Sequence, residues 1–150
     1  MRRGRRGPWR DLWRDRSGAS ALEFAIIAGP LILLLLGTIE FGRLLWLRQA
    51  LEDTATAAAR CMGIPQPECA VGGVYNANAT RNFITGTAGG WGLAVNADNI
   101  VLNNAATCSG LSGFSNVQVT YQFSSPVPGF LEVVGMASTL TSNACFPNQS

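Results

Sequence analysis

The sequence predicts an α+β, membrane-anchored protein. A long N-terminal transmembrane and stalk helix comes first, then a small disulfide-bonded domain with a short antiparallel sheet. Residues 24–39 hold no charge and run on into a stretch of good helix formers. All four cysteines fall at or after residue 61, and residues 117–123 alternate apolar with polar. At 150 residues there is room for one small domain beside the span. Hydrophobic residues make up 47% of the chain, but much of that content sits in the helix. The part after about residue 62, rich in Gly, Ala, Asn, Ser and Thr, can bury only a small core. The expected organisation is a basic cytoplasmic leader over 1–18, the helix over 19–61 and an exported domain over 62–150.

Charge sets the expected orientation. Seven of the eleven arginines lie within residues 1–16, against Asp11 and Asp15, so the leader carries +5. The rest holds Arg43, Arg48, Arg60 and Arg81 against seven acids, or −3. An excess of arginine on one side of a span places that side in the cytoplasm. The C-terminal part then lies outside, the chain crossing once. A nucleic-acid partner is not expected, because no stacking platform or groove-reading motif accompanies the arginines. Trp9 and Trp13, interleaved with them, suit a bilayer interface.

The junction between leader and span carries a processing motif. Gly18 precedes Ala19, Ser20, Ala21, Leu22 and Glu23, and the uncharged run starts at Phe24. A basic leader, a glycine, a glutamate five residues on and an apolar run resemble the cleavage site of a prepilin. That resemblance implies a membrane peptidase cutting between Gly18 and Ala19, with Glu23 the fifth residue of the mature chain. Ser20-x-x-Glu23 also spells a capping box, and the two readings are compatible.

Residues 24–39 make roughly 24 Å of helix, and adding 19–22 approaches the ~30 Å hydrocarbon thickness. The stretch is too long for a cleavable secretory signal and is followed by no small-x-small site. Ala21, Ala25 and Gly29 recur every four residues, with Gly37 two turns further, and small residues so spaced let helices approach in lipid. Ala and Gly are also common in any membrane helix. Pro30 removes one backbone hydrogen bond and is expected to kink the span. Glu23 needs a partner, since a carboxylate at mid-bilayer costs about 2.5–3.5 kcal/mol and less near an edge. Cleavage would create a largely cationic amine on Ala19.

A family now becomes recognisable. Gly18-Ala19-Ser20-Ala21-Leu22-Glu23-Phe24-Ala25 is followed by Gly29-Pro30 and leucines 33–36. Next come Ile39-Glu40-Phe41-Gly42-Arg43-Leu44-Leu45, Gln49-Ala50-Leu51 and Ala57-Ala58-Ala59-Arg60. This ordered set resembles the TadE-like pseudopilins of tight-adherence (Flp) pilus systems. The resemblance implies processing by a prepilin peptidase, contact with other pilins or pseudopilins and with the assembly platform, and a minor role in assembling or priming the fibre. In such assemblies Glu23 would pair with the terminal amine of a neighbouring subunit, a contact that fixes register more than it adds stability. The tail beyond Arg60 carries no family motif.

The helix is expected to leave the bilayer as an amphipathic stalk ending near Gly63-Ile64-Pro65. Phe41, Leu44, Leu45, Leu47, Leu51 and Ala55 form its apolar side; Arg43, Gln49, Glu52, Asp53 and Arg60 are polar. Glu40 and Arg43, three apart, are expected to make a surface pair. Trp46 suits either the outer interface or packing on the tail.

In an oxidising space Cys61, Cys69, Cys108 and Cys145 suggest two disulfides with three possible connectivities. Cys61 with Cys69 and Cys108 with Cys145 is preferred, because Pro65 and Pro67 favour a closed first loop. Metal ligation is a weaker alternative, there being no close C-x-x-C pair, and free thiols are a third. Strands are expected at 99–103, 117–123 and 136–144, a short helix at 77–85, and a flexible glycine-rich loop at 86–92. Without lysine the last is no phosphate-binding loop.

No catalytic constellation is expected. The chain has no histidine, no base beside a plausible nucleophile and no paired carboxylates, Asp98 and Glu132 being solitary. No enzymatic role, cofactor, metal or small-molecule substrate is expected. Asn78-Ala79-Thr80 and Asn148-Gln149-Ser150 match the glycosylation triplet by accident of composition.

Overall fold

A computed structural model describes residues 18–125, 129, 135 and 137–149. The basic leader up to Ser17, the break at Pro126, Val127 and Pro128, Glu132, and the expected strand start at Met136 lie outside the described residues. Long helix α1 covers Ala19–Gly63, with Pro30 inside it. The small hairpin β1 (Ala70–Val71) and β2 (Val74–Tyr75) follows, then α2 (Ala77–Gly90). A 3-10 turn at Ala97–Asn99 leads into β3 (Ile100–Cys108), β4 (Leu111–Gln122) and β5 (Thr139–Pro147). The three long strands form one antiparallel sheet in the order β3-β4-β5.

The chain divides into two compact units between Ile39 and Glu40. In the first, α1 exposes its large apolar side chains, from Leu22 and Phe24 to Ile39. This is the one helix among the described residues long and apolar enough to cross a membrane, with a mean hydropathy of 2.3 over its most apolar window. Thr38 returns its hydroxyl to the Leu34 carbonyl at 2.8 Å, so even its polar group is satisfied within the helix.

In the second unit the same helix is a core element. Leu44, Leu47, Leu51, Ala55, Ala58, Ala59 and Met62 join Ile84, Leu93, Ile100, Val117 and Val119 in one buried cluster. The spacing of three and four residues puts the helical members on one stripe. Their counterparts on β4 alternate, Val117 and Val119 being fully buried. Phe41 and Leu45, expected on the apolar side, are instead exposed: the sheet covers only the stripe through Leu44, Leu47 and Leu51.

The expected loop at 86–92 is largely helix. Asn76 caps α2, accepting from the Asn78 and Ala79 N–H groups at 3.0 Å. Ile84 and Ala88 are buried on the same side of it. That anchorage carries the helix through Gly86, Gly89 and Gly90 despite their weak propensity, and only Trp91 and Gly92 turn out of it. The β1–β2 hairpin had no alternation long enough to announce it. Its turn is Gly72-Gly73, with φ of 62° and 80° at the two positions where a primed turn requires positive values.

Disulfides join Cys61 to Cys69 and Cys108 to Cys145. The first ties the end of α1 to the hairpin, and the second links two strands that flank β4. A small core stapled in this way limits the freedom of the unfolded chain.

Candidate functional site

The glycine and glutamate of the expected processing motif sit at the start of α1. Gly18 is exposed and immediately precedes the helix, which begins at Ala19. Ser20, Ala21, Leu22, Glu23 and Phe24 are exposed in turn. Ser20 occupies the second helical position, so the capping box expected from Ser20 and Glu23 is out of register with the helix start. The first N–H groups of a helix have no intrahelical partner. Ala21, Ala25, Gly29 and Gly37 lie on α1, with open space beside Gly29.

A second polar centre, at Glu40, is more elaborate than its sequence announced. Glu40 is 4% exposed, so the expected surface pair with Arg43 is half internal. Its Oε1 accepts from Arg43 Nη1 at 3.2 Å, and its Oε2 accepts from the Ser125 hydroxyl at 3.2 Å. Arg43 also donates to the Ser124 carbonyl at 3.2 Å and lies 5.1 Å from the centre of the Phe123 ring. Each carboxylate oxygen is thus satisfied, which a buried charge demands. Glu40 belongs to the stripe of Leu44, Leu47 and Leu51, four residues before the first. That spacing was the available signal for its burial; Ser124 and Ser125, more than eighty residues away, gave none.

Trp46 and Trp91 also meet. Their ring centroids are 5.7 Å apart at 69°, an edge-to-face pair. Both rings stay substantially exposed, at 58% and 42%. They border a cleft of about 150 Å³ with Gln49, Ala50 and Asp53. Among the described residues no group of three or more His, Cys, Asp or Glu could hold a metal ion.

Residues 18–60 match the family model described as TadE-like protein. That segment is TadE-like. It opens on Gly18, contains Glu23, the Glu40 and Arg43 pair and Trp46, and stops three residues before α1 ends. The match covers 43 of 150 residues, so the hairpin, α2 and the sheet lie outside it. No curated protein and no solved structure matches the chain.

Proposed function

We propose that the chain is a minor pilin-like component of a Tad/Flp pilus assembly and secretion system, anchored in the inner membrane and cleaved by a prepilin peptidase after Gly18. One observation carries the reading: a glycine and a glutamate five residues apart stand at the exposed start of a TadE-like helix. The peptidase would cut at the helix boundary and leave a cationic amine on Ala19. Glu23 of a neighbouring pilin or pseudopilin would pair with that amine inside the lipid, and the small residues at 21, 25, 29 and 37 would let the helices close. Two disulfides in the C-terminal unit support its placement in an oxidising, extracytoplasmic space. The assembly platform and the bilayer are then its partners.

Intact mass of the membrane-extracted protein, made together with the cognate peptidase, tests the reading. A chain starting at Ala19 is expected, and Gly18→Leu should block the cut while leaving insertion intact. A chain that keeps its arginines under those conditions would mark a permanently anchored binding module instead. Glu23→Gln should leave cleavage and mass unchanged but lower recovery of the protein in purified assemblies.

A further inference from the structure

We propose that Trp46 and Trp91 together form an interfacial anchor that seats the C-terminal folded unit against the phospholipid headgroups of the leaflet on its own side. The sequence marked Trp46 alone; the fold brings Trp91 to it from the far end of α2. The Trp91 backbone N–H donates to Ala88 O at 3.0 Å, so the helix end fixes where the ring emerges.

Two indoles that touch each other yet remain 58% and 42% exposed are not completing the core. An indole has an apolar body and one N–H donor, the combination that favours the boundary between hydrocarbon and water. Depth along the helix agrees. About twenty residues of helix cross ~30 Å of hydrocarbon, so a span counted from Ala19 or from Phe24 ends between Ile39 and Arg43. Trp46 comes one to two turns later. Phe41 and Leu45, also exposed, fall at nearly the same level. A membrane boundary is a level and not a face, so these side chains need not share one stripe of the helix.

The charges at that level fit as well. Glu40 would be costly beside lipid, and it is 4% exposed with both oxygens partnered. Arg43 keeps its side chain about half exposed, at 45%, where it can reach a lipid phosphate. The occupant is therefore a phospholipid surface: the chain itself delivers one to this level, and the aromatic pair, the neutralised acid and the free side of the arginine all match it.

The proposal rests on the helix crossing a bilayer but not on cleavage at Gly18. The test uses the full chain with Trp9→Phe and Trp13→Phe, which leaves Trp46 and Trp91 as its two tryptophans. The protein is reconstituted into phosphatidylethanolamine/phosphatidylglycerol vesicles carrying bromines at either the upper or the lower acyl chain. Adding Trp46→Phe makes Trp91 the single reporter, and adding Trp91→Phe does the same for Trp46. Upper-chain bromines should cut the emission of each reporter by about half, as expected for indoles near the headgroups. Lower-chain bromines should do much less, and aqueous iodide should be excluded. A Trp91 reporter that ignores both brominated lipids and is freely quenched by iodide overturns the proposal. So does a Trp91 emission shielded from iodide without any lipid quenching, which would indicate a protein partner or a second copy over the pair. Vesicle flotation reports insertion separately: a chain that fails to float removes the membrane anchor and this proposal together, whereas a floating, uncleaved chain leaves the proposal standing.

Discussion

The two halves of α1 share their leucines and put them to opposite use. Leu31, Leu33 and Leu35 are 54%, 70% and 52% exposed, while Leu44, Leu47 and Leu51 are 8%, 8% and 1% exposed. Backbone hydrogen bonds close within the helix in both halves, so secondary structure does not distinguish them. What differs is the medium. The second half meets a sheet whose inward valines cover one stripe of it. The first half keeps its apolar surface bare in the isolated chain, which is what lipid or neighbouring helices require. One continuous helix can therefore expose its leucines at one end and bury them as core at the other.

The contrast breaks most directly at leucine. Leu51→Ala should lower the unfolding free energy of the C-terminal unit by about 2–5 kcal/mol, since a fully buried leucine leaves a cavity. Leu33→Ala should leave that transition unchanged. Denaturant midpoints of the full chain in detergent, followed by near-UV circular dichroism, measure both. Equal effects would mean that the two halves are not differently packed.

A smaller change is expected at the polar end of the buried stripe. Arg43→Met strands the Glu40 carboxylate on its hydrogen bond from the Ser125 hydroxyl, at a cost of about 1–3 kcal/mol. The figure sits below that for a fully buried pair because Arg43 is 45% exposed. Adding Glu40→Gln should recover part of the loss, because the charge that needed a partner is gone. No recovery in the double variant would show that the arginine acts through its contact with Phe123 instead.

Close approach at the other end of α1 is expected to matter slightly less. A Cβ on Gly63 would lie 2.7 Å from Phe146 Cδ1 and 2.9 Å from the Pro147 carbonyl oxygen. The ring can yield, but the carbonyl is held by a strand, and Gln149 N–H bonds the Gly63 carbonyl at 2.8 Å. Gly63→Ala should therefore destabilise by about 1–2 kcal/mol, against the usual helical preference for alanine. The same denaturant midpoints report it.

The mildest effect is alkaline. Burial pushes the Tyr75 phenol above its ordinary 10.0, and nearby Arg81 offsets this only in part. Folding thus favours the neutral phenol. Its contribution is complete below pH 10 and is lost as pH rises through the folded value. Tyr75→Phe should flatten the fall in melting temperature above pH 10, a change absent near neutrality.

The helix was legible because its signals are local and long. An uncharged run, a stretch without Gly or Pro after Gly42 and a terminal Gly63-Ile64-Pro65 each act on neighbouring residues. The β4 strand showed itself through the alternation of Val117, Val119 and Tyr121, with Phe123 just past its end, but its first half, Leu111 to Asn116, does not alternate and was missed. The glycines of α2 misled for a related reason: propensity disfavours them, and burial of Ile84 and Ala88 overrides it. At the candidate site Gly18 and Glu23 are legible as a spacing, whereas the burial of Glu40 needed both the stripe and a strand end eighty residues on.

By itself, then, the sequence determined where the backbone coils, where charge stops, which segment is TadE-like and which cysteines were there to pair. Those properties depend on the order of adjacent side chains and on a hydropathy that needs no partner. Only the tertiary structure decided which leucines of one helix are core, that Glu40 is enclosed by Arg43 and Ser125, and that Trp91 stands against Trp46. Each of those outcomes belongs to side chains far apart in the chain, and burial is a property of what surrounds a residue.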